Sequence, residues 1–198
     1  MTEVFRPWYG RLLTVGIAVI CASLVLFAAS QGDWADAALT LPWAALVAGA
    51  CWATFWRPRV EVSDAGVRIV NVTRTIDVPW PALHDVQTKW ALTLVTAYGR
   101  VTAWSAPAPG VRGAVRSLTA GGDDPRTDGP GGAVAHGDIV DSPSGTVAAA
   151  VRDRWSELRA AGHLDDPRLE HDRAQIRWHL GTFGAGAALL AVGILTSV

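Results

Sequence analysis

Three long uncharged apolar runs, Leu12–Ser30, Leu39–Trp56 and Trp178–Val198, constrain this chain more than any other feature. All 17 lysines and arginines lie outside them. Each run is about 18–21 residues long, and at roughly 1.5 Å per residue such a helix crosses a hydrocarbon core of about 30 Å. None shows the polar stripe of a helix packed on a soluble core. The runs read as three transmembrane helices in contact with the lipid bilayer.

Charge then orients them. Arg6 and Arg11 precede the first run, Arg57 and Arg59 follow the second, and Arg168, Arg173 and Arg177 precede the third. The loop Gln31–Ala38 holds Asp33 and Asp36 but no basic residue. Basic residues keep their end of a span in the cytoplasm. The N-terminus and residues 57–177 are therefore expected inside the cell, and the acidic loop and the C-terminal end outside, in a multi-pass protein of the plasma (inner) membrane. Trp8, Trp34, Trp43, Trp56 and Trp178 sit near the span ends, where an indole buries its ring and keeps its N–H wet. A cleaved signal peptide is the rival reading of the first run, but the run is long for that and a second span follows at once. Cys21 and Cys51 both lie inside spans and read as packing residues rather than a redox pair.

The segment 57–177 is large enough for one small domain. Its fifteen basic residues balance fifteen acidic ones, so it carries no electrostatic footprint for nucleic acid. Residues 59–105 alternate as short strands. Arg59–Val62 leads to a turn at Ser63–Gly66, then Val67–Val70, a turn at Asn71–Arg74, and a strand over Thr75–Val78. Pro79-Trp80-Pro81 interrupts regular pairing. Beyond Ala82–Asp85, Val86–Trp90 and Ala91–Tyr98 read as extended, with Leu92, Leu94, Thr96 and Tyr98 on one face, and Gly99-Arg100 turns into Val101–Trp104. With Trp80, Trp90 and Trp104 as large apolar bodies, this pattern implies a small antiparallel barrel or sandwich.

Residues 106–145 are rich in glycine and proline and read as a flexible insert, within which 111–118 fits either a strand or a helical turn. Ser142-Pro143 offers a helix start, Val147, Val151, Trp155 and Leu158 recur at helical spacing, and Gly162 offers a stop. The expected layout is a two-span hairpin over 1–56 and a β domain over 57–105. The insert 106–145 follows, then an amphipathic helix over 146–162, a linker over 163–177 and a third span over 178–198.

Strands followed by one amphipathic helix are the order of a pleckstrin-homology (PH)-like fold. The stretch Arg57-Pro58-Arg59-Val60-Glu61-Val62, with Gly66-Val67, Asn71, Arg74, Val78-Pro79-Trp80, Leu83 and Val86, resembles the actinobacterial bacterial-PH family named for low molecular weight protein antigen 6. Arg154–Gly162 resembles the helix and glycine that close such proteins, and two spans directly before Arg-Pro match the family's layout. The resemblance covers 57–105 and 146–162. It implies a PH-like domain tethered to a membrane and carries no catalytic residues. The long insert and the third span depart from the pattern.

Other chemistry finds little footing. His84, His136, His163, His171 and His179 form no metal-ligand motif, and Asp123-Asp124, Asp165-Asp166 and Glu170-His171-Asp172 read as solvated polar residues. No metal or cofactor is expected, and no enzyme activity. No span has an ionisable residue at its centre, as an ion or proton pathway requires. Ala45, Gly49 and Ala53, and likewise Gly184 and Ala188, recur every four residues, a spacing that packs the bundle or joins it into a homo-oligomer. The expected function is an interaction scaffold for a membrane or cytoplasmic protein partner, with a lipid-headgroup-responsive module as the alternative. The candidate interaction residues are Arg68, Arg74, Trp90, Arg100 and Trp155. Convergence of Arg68, Arg74 and Arg100 in one pocket would favour the lipid.

Overall fold

The structure, a computed structural model, describes residues 2–32, 34–88, 90–107, 143–164 and 174–197. Most of the insert 106–145, including 111–118, and most of the linker 163–177 lie outside the described residues. The chain divides into two compact units, one of 1–6 with 59–177 and one of 7–58 with 178–198.

The second unit holds three apolar helices, each long and apolar enough to cross a membrane. They are α1 (Trp8–Ser30), α2 (Trp34–Cys51, continued by a π-helical turn over Trp52–Trp56) and a later helix over Leu180–Ser197. The acidic loop is shorter than the sequence implied, because α2 begins at Trp34 and takes Asp36 into its first turn, where a carboxylate suits the helix dipole. Hydroxyls inside the runs bond back to their own helix: Thr14 donates to the Gly10 carbonyl at 2.8 Å and Thr196 to the Val192 carbonyl at 2.9 Å. Helix α2 packs against both of the others. The tight approaches fall at Gly10, against the Phe55 backbone, and at Gly193, beneath the Trp43 ring. Gly49 and Gly184, on which the fourfold spacing rested, face open space. Arg11 lies 5.6 Å above the Trp56 ring and Arg57 5.7 Å above Trp52, while Arg57 also donates to the Thr182 hydroxyl at 2.6 Å. Cations and indoles thus gather at one end of the bundle.

The first unit contains two antiparallel sheets and a helix. Strands β1 (Glu3–Phe5), β2 (Arg59–Ser63), β3 (Gly66–Val70), β4 (Arg74–Pro79) and β8 (Gln175–Trp178) form a five-stranded sheet in the order β1-β2-β3-β4-β8. A 3-10 turn over Trp80–Ala82 leads to β5 (Leu83–Gln87), β6 (Ala91–Thr96) and β7 (Gly99–Pro107), which form a three-stranded sheet. These sheets are not one closed barrel, and they pack through a common core. Val60, Ile69 and Ile76 come from the first sheet and Leu92, Leu94 and Ala103 from the second, all essentially inaccessible. Helix α3 (Pro143–Ala160) adds Val147, Ala148 and Val151 to the same cluster. The apolar helix Leu180–Ser197 is α4. Each large side chain buried in this way contributes about 1.5–3 kcal/mol.

Polar contacts fix the pieces. The Asn71 side chain donates to the Thr102 carbonyl at 2.8 Å and accepts from the Trp104 amide at 2.8 Å, tying the β3–β4 turn to β7. Arg152 on α3 donates to the Val86 carbonyl on β5 at 2.8 Å. Trp80 is buried with its indole N–H on the Ser63 carbonyl at 2.9 Å, so the ring leaves no orphaned donor.

Several expectations need correction. Trp90 and Trp104 are 80% and 60% exposed, so of the three tryptophans only Trp80 serves the core. Tyr98 is exposed in the β6–β7 turn, which falls at 97–98 rather than at Gly99-Arg100. Strand β5 begins at Leu83 and ends at Gln87, and β6 opens at Ala91. Strands β1 and β8 were not anticipated, and Trp178 belongs to β8 rather than to the last helix.

Gly66 has φ +151°, and a Cβ there would press on the Val78 carbonyl oxygen of the paired strand. Gly99 has φ +125° with open space around it. Gly66→Ala therefore adds a backbone clash to conformational strain of about 1–3 kcal/mol, whereas Gly99→Ala carries strain alone. Urea unfolding of the full chain in detergent should show a clearly larger loss of midpoint for Gly66→Ala; equal losses would contradict this packing.

Candidate interaction surface of the β domain

The β2–β3 and β3–β4 registers place Glu61 opposite Arg68 and Arg68 opposite Asp77. Strands alternate, so when Val60, Ile69 and Ile76 enter the core, these three side chains share the outer face. There they build a charge ladder. Arg59 Nε lies 2.6 Å from Glu61 Oε1, and Arg68 reaches Glu61 Oε2 at 3.7 Å and Asp77 Oδ1 at 2.5 Å. Arg177 on β8 holds the other Asp77 oxygen at 2.7 Å. Each such cross-strand pair is partly exposed and contributes about 0.2–1 kcal/mol. Burial pushes the Asp77 carboxyl up, but hydrogen bonds from Arg68 and Arg177, with their charges, outweigh it and hold the group below the usual carboxylate value. The same hydrogen bond and charge raise the Arg68 guanidinium.

This ladder borders an open cleft of about 550 Å³ lined by Ser63, Gly66, Arg68, Asp77, Pro79 and Gln175 among others. A second groove, of about 620 Å³, runs between the β1–β2 end of the sheet and α3. Among the described residues no group of His, Cys, Asp and Glu is arranged to hold a metal ion.

The sequence-derived candidates scatter. Arg68 lines the first cleft, but neither Arg74 nor Arg100 does. Arg74 opens β4 half-buried, and its carbonyl accepts from the Asn71 amide at 2.9 Å. Arg100 lies opposite Val95 on the three-stranded sheet, exposed. The three arginines therefore do not converge. Trp90 is exposed on the bend before β6, whereas Trp155 is half-buried against the core with Arg159 5.8 Å above its ring. Trp155 is thus a packing residue of α3. Sequence reasoning missed Glu61 and Asp77 as the partners of Arg68, and Arg177 as the second cation on Asp77. The Ser63–Gly66 turn held the signal for the first of these, because a hairpin folded there sets Glu61 against Arg68. Arg177 carried no such signal, since β8 itself was not foreseen.

Residues 57–154 match the family model of the bacterial PH domain. The match runs from the residues before β2 into α3 and leaves β1 and β8 outside. No curated protein and no solved structure matches the chain. The β domain is accordingly PH-like, a class of module that engages proteins or lipids.

A carboxyl held low in the folded state stabilises that state above its unfolded pKa, and the contribution fades as pH falls through the folded value. Asp77→Asn should therefore lower stability at neutral pH. Its deficit against the unsubstituted chain should shrink as pH drops below the usual carboxylate value of about 3.9. Thermal unfolding across that range reads the difference; a deficit that does not change with pH would contradict the charge ladder.

Proposed function

We propose that this chain is a multi-pass protein of the plasma membrane that presents its PH-like domain to the cytoplasm as a protein-interaction scaffold, without catalysis of its own. Its three apolar helices are the anchors. The N-terminal end and residues 57–177 lie inside, and the C-terminal end outside. We place it with the actinobacterial membrane proteins of the low molecular weight protein antigen 6 type, as a variant with a third span.

One observation carries the scaffold reading over a lipid-headgroup reading. A headgroup phosphate needs clustered donors. On this domain Arg59, Arg68 and Arg177 are each ion-paired to carboxylates, and the first hairpin turn of the domain carries Asp64 rather than cations. What the domain offers instead is sheet edges and grooves, the surfaces on which extended segments of other proteins dock.

Cross-linking of the full-length chain in its native membrane, followed by identification of what co-purifies, tests this. The scaffold reading expects a recurrent protein partner that disappears when residues 59–160 are deleted from an otherwise inserted chain. Recovery of lipid alone would move headgroup sensing to the front.

A further inference from the structure

Helix α3 presents two neighbouring stripes. Val147, Val151, Trp155 and Leu158 pack on the core, while Thr146, Ala150, Asp153 and Glu157, spaced three and four apart, line the groove that separates α3 from the β1–β2 end of the sheet. Across the groove stand Glu3 and Phe5 of β1, with Phe5 also touching the core. Strand β1 pairs with β2 in the register Glu3↔Val62 and Phe5↔Val60. Among the described residues its second edge has no strand beside it.

The groove is therefore walled by an edge strand and a helix, and its lining mixes small and apolar side chains with carboxylates. Among the described residues its charged lining side chains are the carboxylates of Glu3, Asp64, Asp153 and Glu157 and the guanidinium of Arg154. Arg154 is held by Asp64 at 2.5 Å and Glu157 at 2.8 Å, which leaves Glu3 and Asp153 with no ion pair among the described residues. An edge strand takes an incoming strand through main-chain hydrogen bonds, and the alternating side chains of that strand then select by what flanks the edge. Glu3 and Phe5, two residues apart, both face the groove, so here one set would meet the carboxylates and Phe5 within it and the other set would lie beside the exposed Val4 on the opposite face.

We propose that this groove receives an extended segment of another protein that alternates apolar residues with lysine or arginine, added as a strand to the free edge of β1. This proposal rests on the scaffold reading and names the site and the chemistry of the partner. Glu3 and Asp153 supply charge complementarity, which governs approach and register and is weakened by salt. The bacterial PH family match begins at residue 57, so the β1 side of this groove is built by a strand outside the matched segment.

The test uses the full-length chain in nanodiscs of zwitterionic phosphatidylcholine, so that a cationic probe finds no anionic lipid. The probe is a fluorescent peptide, Lys-Val-Lys-Val-Arg-Val-Lys, read by anisotropy against a counterpart with Glu at every basic position. The proposal expects the basic peptide alone to bind. Asp153→Lys should weaken it about tenfold, equivalent to about 1.4 kcal/mol. His84→Lys/Gln87→Lys, which adds the same charge on β5, should not. Asp153 and the β5 pair are exposed, and the thermal unfolding of each variant checks that the fold persists. Binding of both peptides, of neither, or of the basic peptide with no response to Asp153→Lys would overturn the groove assignment. Should that happen while native-membrane cross-linking still captures a partner through the domain, the groove fails and the scaffold reading stands. Loss of that capture as well would remove the reading beneath it.

Discussion

The register of β2, β3 and β4 is the constraint on which the rest of the domain depends. Side chains alternate along a strand, so a slip of one residue would turn Val60, Ile69 and Ile76 out of the core and bring Glu61, Arg68 and Asp77 in. The apolar penalty for that inversion and the unpaired buried charges act in the same direction, and together they far exceed the worth of any single ion pair. The charge ladder is thus a consequence of the core and not its cause. Gly66 makes the register possible by allowing the backbone of β3 to approach Val78 and Pro79 without a side chain between them.

Chain connectivity gives the five-stranded sheet a second constraint. Arg6 and Pro7 separate β1 from α1, Arg57 and Pro58 separate α2 and its π-helical turn from β2, and His179 alone separates β8 from α4. Every apolar helix therefore connects along the chain to a strand of the same sheet. The prolines fit these junctions, since each fixes its own φ and has no N–H to carry on a helical hydrogen-bond ladder. Helix and strand are thereby kept as separate elements, although almost no chain lies between them.

Much of the architecture was legible in the residues. The three helices were visible because about twenty consecutive apolar residues without a charge match the thickness of a bilayer and lack the polar face that a soluble helix needs. The β2–β4 meander was visible through its alternation and its turn residues, and α3 through the spacing of Val147, Val151, Trp155 and Leu158. Strands β1 and β8 were not, because each is only three or four residues long and abuts an apolar run that dominates any window placed over it. The tryptophans misled for a different reason. Burial of an indole depends on which face of its strand points inward and on a partner for its N–H. Trp80 found one in the Ser63 carbonyl, while Trp104 sits on the outward face of β7. The interaction surface was the least legible part. Arg68 was identified, but its partners lie on β2 and β4 and the cation that shares Asp77 with it lies on β8, and only pairing across strands brings them together.

A cytoplasmic scaffold requires the PH-like domain to lie on the inner side of the bilayer. The most direct measurement is thiol labelling in intact cells with a membrane-impermeant reagent, in a background where Cys21 and Cys51 are replaced by alanine. A cysteine at Gln31, between α1 and α2, should be labelled from outside. One at Gln87, at the exposed end of β5, should react only after the cells are permeabilised. The reverse pattern, with Gln87→Cys labelled and Gln31→Cys protected, would place the domain outside the cell and contradict a cytoplasmic scaffold.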